Sequence, residues 1–266
     1  MNTKEPQNAY VSLEGLHAAL QSSLNVFQTL CDQIGVRFYL AYGSLLGAVR
    51  HKNIIPWDDD IDIHMTREDY NKLVSFFSLH KTFDNHTFNC LENNKDYFLF
   101  HGKFTNLNTY SDEYFKNVQI DIDVFPLDYY VGRFVVFSKL KHLYYGKIIY
   151  SLFKLSNKSE GFLKRLVRKL FVLPFNKYSA HELAIAFSDK NFSNHETGLF
   201  FNFDGTKYKE LLILDKNDFL KSNEKLQFGD AAYLVPLNCQ KYLSNIYGKK
   251  WYLPPPENKR KGHSND

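Results

Sequence analysis

Four aspartates occupy five consecutive positions in the segment PWDDDIDI, at Asp58, Asp59, Asp60 and Asp62. Carboxylates this close repel one another unless protons or a cation neutralise them. Because every candidate ligand atom here is an oxygen, the expected cation is hard, Mg²⁺ or Mn²⁺ rather than Zn²⁺. The segment therefore predicts a metal site, and the simplest alternative is a solvated acidic turn.

The same segment carries a strand pattern. Ile61 and Ile63 alternate with acidic residues, which predicts a β-strand with one apolar and one acidic face. Residues two apart on a strand point the same way, so Asp58, Asp60 and Asp62 are expected to share a face. That spacing allows either two ions or one ion with bound water.

A candidate anion site precedes the aspartates. Residues 36–41 predict a strand, Gly43 and Ser44 a tight turn, and residues 44–50 a short helix. Free N–H groups at a helix N-terminus bind anions, Gly43 allows close backbone approach, and Ser44 can cap the helix.

A basic cluster follows this helix, at Arg50, His51 and Lys52. Cations beside a metal site suit phosphoryl or nucleotidyl transfer, in which metal and fixed charges stabilise the transition state. Each of the three residues has the alternative of a solvated basic turn.

A second acidic strand is predicted near residues 117–125. Ile120, Ile122 and Val124 alternate with polar residues, and this places Asp121 and Asp123 on one face. One of the pair could bind metal or take the proton from an attacking hydroxyl. Spacing alone leaves Asp121 and Asp123 as equal alternatives.

Residues 42–65 resemble the signature of the LicD family, a branch of the nucleotidyltransferase fold that includes fukutin-related proteins. Similarity continues at Lys103 and Asn108-Thr109, at residues 122–128, and in the tail from 247 to 263. The family more often has a basic residue where this chain has Thr105. The implied fold is α+β, with a nucleotidyltransferase-like mixed sheet core and a helical, basic elaboration.

The resemblance implies transfer of a phospho-alcohol from a CDP-activated donor to a hydroxyl of a cell-surface or lipid-linked glycan, with release of CMP. Phosphocholine from CDP-choline is the first expectation, and ribitol phosphate or glycerol phosphate are alternatives. The acceptor would belong to lipopolysaccharide, teichoic acid or capsule.

The resemblance also implies roles for individual residues. Asp60 and Asp62 would hold Mg²⁺ (or Mn²⁺), Asp58 would complete the metal ligands, and Asp123 would bind metal or act as the base. The substrate-binding candidates are Gly43, Ser44, Arg50, Lys52, Lys103, Arg260 and His263. Choline would require an aromatic cage, for which Trp57, Tyr97, Tyr110 and Trp251 are candidates.

Three rival functions remain open. A true nucleotidyltransferase would use the same metal ligands and release pyrophosphate. A glycosyltransferase with a DxD motif would use a nucleotide sugar. A non-enzymatic alternative is a membrane-surface adaptor with a degenerate site.

Composition limits the kinds of partner and the cellular compartment that we expect for this protein. The 266 residues carry a formal charge of +4 and no nucleic-acid-binding motif, so no nucleic acid partner is expected. Three scattered cysteines argue against a disulfide framework and a zinc site. We expect no signal peptide and no membrane span, and a cytoplasmic location with a possible peripheral contact at the inner membrane surface.

Three segments are predicted: a catalytic core over 1–130, a helical basic and aromatic elaboration over 131–226, and a C-terminal segment over 227–266 that completes the core. A first helix is expected between Ser12, as N-cap, and Gly35.

Residues 133–173 hold ten cations and one acid: Arg133, Lys139, Lys141, Lys147, Lys154, Lys158, Lys164, Arg165, Arg168, Lys169 and Glu160. This pattern favours a helical insertion packed on the core with a solvated basic face, and the alternative is a helix pair at an anionic membrane surface.

Overall fold

The structure is a computed structural model that describes residues 9–10, 12–108, 110–111, 119–129, 135–156, 162–191, 199–203 and 211–260. The helices within these ranges are α1 Leu13–Ile34, α2 Tyr42–His51, α3 Arg67–Leu79, α4 Val135–Ser156, α5 Phe162–Phe171, α6 Ala180–Asn191, α7 Asn217–Leu220 and α8 Cys239–Tyr247. The strands are β1 Ala9–Tyr10, β2 Tyr39–Leu40, β3 Ile61–Thr66, β4 His86–Asn89, β5 Gly102–Asn106, β6 Tyr110–Ser111, β7 Asp121–Tyr129, β8 Leu199–Phe203, β9 Leu211–Asp215, β10 Lys225–Phe228 and β11 Ala231–Leu234. The predicted α+β class is confirmed.

The chain forms two compact units. The first combines Met1–Phe88, Lys103–Val124 and Asn217–Asp266, and the second combines Asn89–Gly102 with Phe125–Lys216. The predicted three-segment division at residues 130 and 226 stays a prediction.

Helix α1 follows its local sequence signals, as predicted. Ser12 accepts a hydrogen bond from the Gly15 N–H (3.2 Å), and Gly35 ends the helix with a φ of +67°. Leu24 and Phe27, in the middle of the apolar stripe of α1, are fully buried, and Phe27 lies edge-on to Phe104. This helix therefore closes the core of the first unit.

The main sheet has the strand order β2-β3-β7-β5-β4, and β8 and β9 continue from β7. Strands β2 and β3 are antiparallel, with Tyr39 opposite His64. In β7, Ile122 and Val124 are fully buried while Asp121 and Asp123 are half-buried, which confirms the predicted alternation. The two predicted acidic segments thus lead into neighbouring strands.

Two predicted elements differ from the structure. The strand expected over 36–41 is limited to Tyr39–Leu40, and β3 begins only at Ile61. Asp58 and Asp60 precede β3, because the Asp58 N–H donates to the Ile55 carbonyl (2.9 Å) and turns the chain. The expectation that Asp58, Asp60 and Asp62 share one strand face is therefore wrong.

The second unit has a helical core. Ile148 and Ile149 of α4 pack with Ala184 and Phe187 of α6 and with Phe100. Lys158 and Glu160 lie outside the described residues. Among the helices that are described, none is long and apolar enough to cross a bilayer.

Candidate functional site

The start of α2 and the start of β3 are joined through backbone groups. The Ala41 N–H donates to the Asp62 carbonyl (3.1 Å), and the Asp62 N–H donates to Ser44 Oγ (2.8 Å). Ser44 is buried, and the N-cap of α2 is Ala41, so the expected capping role of Ser44 is wrong. Its hydroxyl instead fixes the acidic strand against the helix.

Three consecutive carboxylates converge in the loop before β3. Asp58, Asp59 and Asp60 each offer an oxygen atom, and these atoms lie within 4.8 Å of one another. A loop permits this convergence, whereas alternation along a strand would turn Asp59 away. Asp59 is therefore a candidate ligand that the predicted strand pattern excluded.

Gly43 makes room for one of these carboxylates. A Cβ atom at Gly43 would lie 2.7 Å from Oδ2 of Asp58, well inside van der Waals contact. The predicted close approach to Gly43 is thus made by an aspartate side chain of the same chain.

The Asp58 carboxyl in this loop has a raised pKa. Burial, and then the neighbouring Asp60 and Asp59 carboxylates, raise the pKa of Asp58 to about 7. A carboxylate held beside two others is destabilised in its charged form. The loop therefore favours either a proton or a cation at this position.

His17 holds the same loop from α1. Its Nε2 lies 2.7 Å from the Asp58 carbonyl oxygen, so the ring nitrogen donates to that acceptor. No metal-ligand or catalytic pattern surrounds His17 in the sequence, and no local signal predicts this contact with a backbone carbonyl 41 residues away.

The second acidic strand is paired with β5. Lys103 Nζ lies 2.8 Å from Oδ1 of Asp123 and 3.3 Å from Oδ2 of Asp121. Thr105 Oγ1 donates to Oδ1 of Asp121 (2.7 Å). Burial alone would lower the pKa of Lys103, but the Asp123 and Asp121 carboxylates outweigh it and raise that pKa.

Two protein side chains donate to Asp121, and one of them, Lys103, also donates to Asp123. Both oxygens of Asp121 accept from protein donors, Thr105 and Lys103. Thr105, which stands where the family more often has a basic residue, is buried and serves to orient Asp121.

A cationic and aromatic group lies at the other side of the loop. The Arg260 guanidinium lies over the Trp57 ring (5.1 Å to the centroid), and His51 lies edge-on to Trp57 (6.2 Å). Burial and then the positive charge of Arg260 lower the pKa of Arg50. The predicted residues Arg50 and Arg260 are thus close enough to repel one another.

The polypeptide around Arg260 fixes its position. Arg260 Nε donates to the Pro255 carbonyl (3.0 Å), and one guanidinium nitrogen lies 3.7 Å from Glu257. The C-terminal tail therefore brings Arg260 to Trp57, the residue next to Asp58.

The remaining predicted residues are placed as follows. Lys52 is exposed at the end of α2, with a φ of +54°, and its carbonyl accepts from the Gly229 N–H (2.8 Å). His263 and Thr109 lie outside the described residues, as does the side chain of Tyr110. Trp251 lies edge-on to Tyr252, and Tyr97 belongs to the second unit.

The donor set fits a hard divalent cation. Three carboxylates within reach of one point supply the anionic oxygen ligands that Mg²⁺ and Mn²⁺ prefer. Burial and then the charges of Asp60 and Asp59 raise the pKa of Asp58, and a cation bound at the loop would favour its charged form. The carboxylate cluster precedes β3, and the strand that carries Asp121 and Asp123, β7, pairs next to β3.

Comparison with known proteins gives the family. The family model described as LicD/FKTN/FKRP, nucleotidyltransferase domain, matches residues 35–181, more than half of the chain. The chain belongs to the LicD family. The resemblance noted from the motifs is therefore confirmed.

Individual relatives match over shorter stretches. The lipopolysaccharide cholinephosphotransferase LicD of Haemophilus influenzae is 47% identical over 51 residues, 19% of each chain. The human ribitol 5-phosphate transferase FKRP is 45% identical over 51 residues, 19% of this chain and 10% of FKRP. An uncharacterized protein of Rickettsia typhi is 28% identical over 116 residues, 41% of this chain and 36% of the relative. The alignments thus span about a third of these relatives or less.

Proposed function

We propose that this LicD family member transfers a phospho-alcohol from a CDP-activated donor to a glycan hydroxyl, in a Mg²⁺-dependent (or Mn²⁺-dependent) reaction that releases CMP. The observation that carries the proposal is the convergence of Asp58, Asp59 and Asp60 just before the hydrogen bond from the Asp62 N–H to Ser44 of α2. The names of two relatives, a cholinephosphotransferase and a ribitol 5-phosphate transferase, support the class of group transferred.

The aspartates before and within β3 would hold the metal. Asp58, Asp59 and Asp60 supply converging oxygen atoms, and Asp62 follows on β3 with its backbone tied to α2. A divalent ion there would neutralise diphosphate charge as the phosphorus–oxygen bond to CMP breaks.

Asp123 is the proposed base toward the acceptor hydroxyl. Both oxygens of Asp121 are engaged by Thr105 and Lys103, which leaves Asp121 suited to orienting Lys103. Lys103 in turn lies 2.8 Å from Asp123 and positions that carboxylate. An ionised carboxylate can accept the proton that the attacking hydroxyl loses.

Arg50 and Arg260 would bind phosphate oxygens. Burial and then the positive charge of Arg260 lower the pKa of Arg50, and an anion bound by both guanidinium groups would offset that repulsion. Gly43 leaves the space in which the Asp58 carboxylate meets the start of α2.

CDP-choline remains the first candidate donor, and CDP-ribitol is the second. One observation favours the polyol: a cation of the chain itself, Arg260, covers the Trp57 ring that a choline cage would use. CDP-glycerol is a third donor of the same type.

A donor panel tests the proposal. Purified protein with Mg²⁺ and a mixed glycan acceptor is given CDP-choline, CDP-ribitol, CDP-glycerol, CTP or a UDP-sugar, and the released nucleotide is identified. We expect CMP from one CDP-alcohol, lost with EDTA and in Asp60→Asn or Asp62→Asn, and retained in the control Asp230→Asn at an exposed loop. Pyrophosphate from CTP would instead identify a nucleotidyltransferase, and a nucleoside diphosphate from a UDP-sugar would identify a glycosyltransferase.

A further inference from the structure

Helix α5 exposes its apolar residues. Leu163 is 72% exposed, Val167 61% and Leu170 65%, and Leu166 is also exposed. These positions follow the spacing i, i+3, i+4 and i+7, so they form one continuous stripe along the helix.

The opposite side of α5 faces the protein, and it is polar. Arg165 and Arg168 are half-buried there, and Arg168 Nη1 lies 3.3 Å from Ser151 Oγ of α4. The Arg168 guanidinium also lies over the Tyr150 ring (5.6 Å to the centroid). Val172, just beyond the helix, is buried on the same side.

This orientation is the reverse of an ordinary surface helix. A helix that covers a core turns its apolar stripe inward and its charges to water. Helix α5 uses its arginines for packing and leaves its leucines outside. Exposed apolar surface that is continuous and ordered in this way marks an interaction site.

Charge identifies the partner. Lys164 and Lys169 are exposed and lie on the two flanks of the apolar stripe, and α5 contains no acidic residue. In an interfacial helix, the leucines enter the acyl-chain region of the bilayer and the lysines reach its headgroups. Leu173, 60% exposed, extends the apolar surface past the helix end.

We propose that α5 docks this protein on the surface of an anionic lipid bilayer. The stripe formed by Leu163, Leu166, Val167 and Leu170 would enter the interface, and Lys164 and Lys169 would contact anionic headgroups. A symmetric pair of α5 helices fits less well, because a twofold contact would bring the lysine flanks of two copies together. The inference is independent of the proposed function.

Vesicle flotation of the full chain tests the proposal. One set of vesicles contains phosphatidylglycerol and phosphatidylcholine, and the other contains phosphatidylcholine alone. We expect flotation with the first set, weakened by salt because the lysine attraction is screened. Leu163→Gln combined with Leu170→Gln should lower binding at least tenfold. Lys164→Gln and Lys169→Gln should each lower it roughly fivefold.

A matched control tests whether the loss of flotation is specific to the leucines of α5 or follows from the loss of any exposed leucines. Leu79→Gln combined with Leu107→Gln removes two exposed leucines of the first unit and should leave flotation unchanged. All the substituted side chains are exposed, so circular dichroism and the thermal midpoint should match the parent.

Three results would overturn the proposal. The first is a parent protein that stays out of the floating fraction with both vesicle types. The second is equal flotation of the α5 leucine variant and its control. The third is a parent that sediments as a dimer, ignores vesicles and becomes monomeric in the α5 leucine variant, since that would assign the stripe to a second copy.

Discussion

Gly43 stands where an added methyl group would touch the carboxylate of Asp58. Gly43→Ala would place Cβ 2.7 Å from Oδ2, and the flexible side chain of Asp58 would move away. We expect little change in stability but a loss of activity of about 100-fold, because misplacing a group by about 1 Å can cost that much. Donor turnover and the urea midpoint measure the two effects.

Gly248 provides the opposite control. Nothing lies within 4 Å of a Cβ placed there, but its φ is +80°, a region that is strained for other residues. Gly248→Ala should lower stability by about 1–3 kcal/mol and keep the activity of the folded protein. The same loss of activity in both variants would mean that Gly43 has no special relation to Asp58.

Asp58 should make the stability of the metal-free protein depend on pH. Its pKa is raised from 3.8 to about 7, so between these values the folded state binds more protons than the unfolded state. Stability is then highest at the acidic end and falls as pH rises toward 7, by about 2–4 kcal/mol for this group. Urea unfolding in EDTA across that range should show the slope, and Asp58→Asn should flatten it.

Adding Mg²⁺ near pH 7 should restore the lost stability of the parent more than that of Asp58→Asn, because an ion bound to the folded state stabilises it. A parent protein whose stability rises steadily from pH 4 to 7 in EDTA would rule out the proton at Asp58.

At the scale of single residues, the sequence predicted which residue types form the candidate site better than it predicted which residues they contact. The crowding of Asp58 and Asp60 was visible without a structure, since like charges rarely cluster without purpose. Asp59 was not among the predicted ligands because its convergence with Asp58 and Asp60 depends on a loop rather than a strand. His17 was missed because its contact with Asp58 spans 41 residues of sequence.

Between elements, one hydroxyl joins α2 to β3. Ser44 Oγ accepts from the Asp62 N–H, so Ser44→Ala should leave that donor without its partner and lower stability by about 1–3 kcal/mol. We also expect weaker Mg²⁺ binding, because Asp62 lies on the strand that this bond holds. Ser75 is exposed on α3, and Ser75→Ala, which removes a hydroxyl that donates to the Asn71 carbonyl, should change neither quantity.

Element boundaries show where sequence patterns were sufficient. Helix α1 was predictable because Ser12, Gly35 and the apolar stripe are all local signals. The start of β3 was not, since the turn at Asp58 and the bonds to α2 override the alternation of Asp60 to Ile63. The orientation of α5 was also hidden, because periodicity defines an apolar face without saying which way it points.

In the molecule as a whole, helix α8 of the C-terminal segment is hydrogen-bonded to the start of α2 and to β3. The Tyr242 hydroxyl of α8 accepts from the Tyr42 N–H (3.2 Å) and lies 2.8 Å from His64 Nε2 of β3. Tyr42 has a φ of +40°, a conformation that costs a residue other than glycine about 1–3 kcal/mol. Tyr242→Phe should lower stability by about 1–3 kcal/mol and reduce activity.

The exposed Tyr252→Phe is the matched control and should resemble the parent in thermal unfolding and in donor turnover. If Tyr242→Phe matches it in both, the hydroxyl of α8 does not hold the start of α2.

The first unit is assembled from three separate stretches of chain, and the third begins only at Asn217. During synthesis, the aspartate loop is made about 160 residues before this stretch. At about 5–20 residues per second, the delay between the two is tens of seconds at most. The second unit has all of its residues by then and can fold first. The first unit, which holds the candidate site, is therefore the last to be completed, and we expect a chain truncated before Asn217 to carry every predicted metal ligand but no activity.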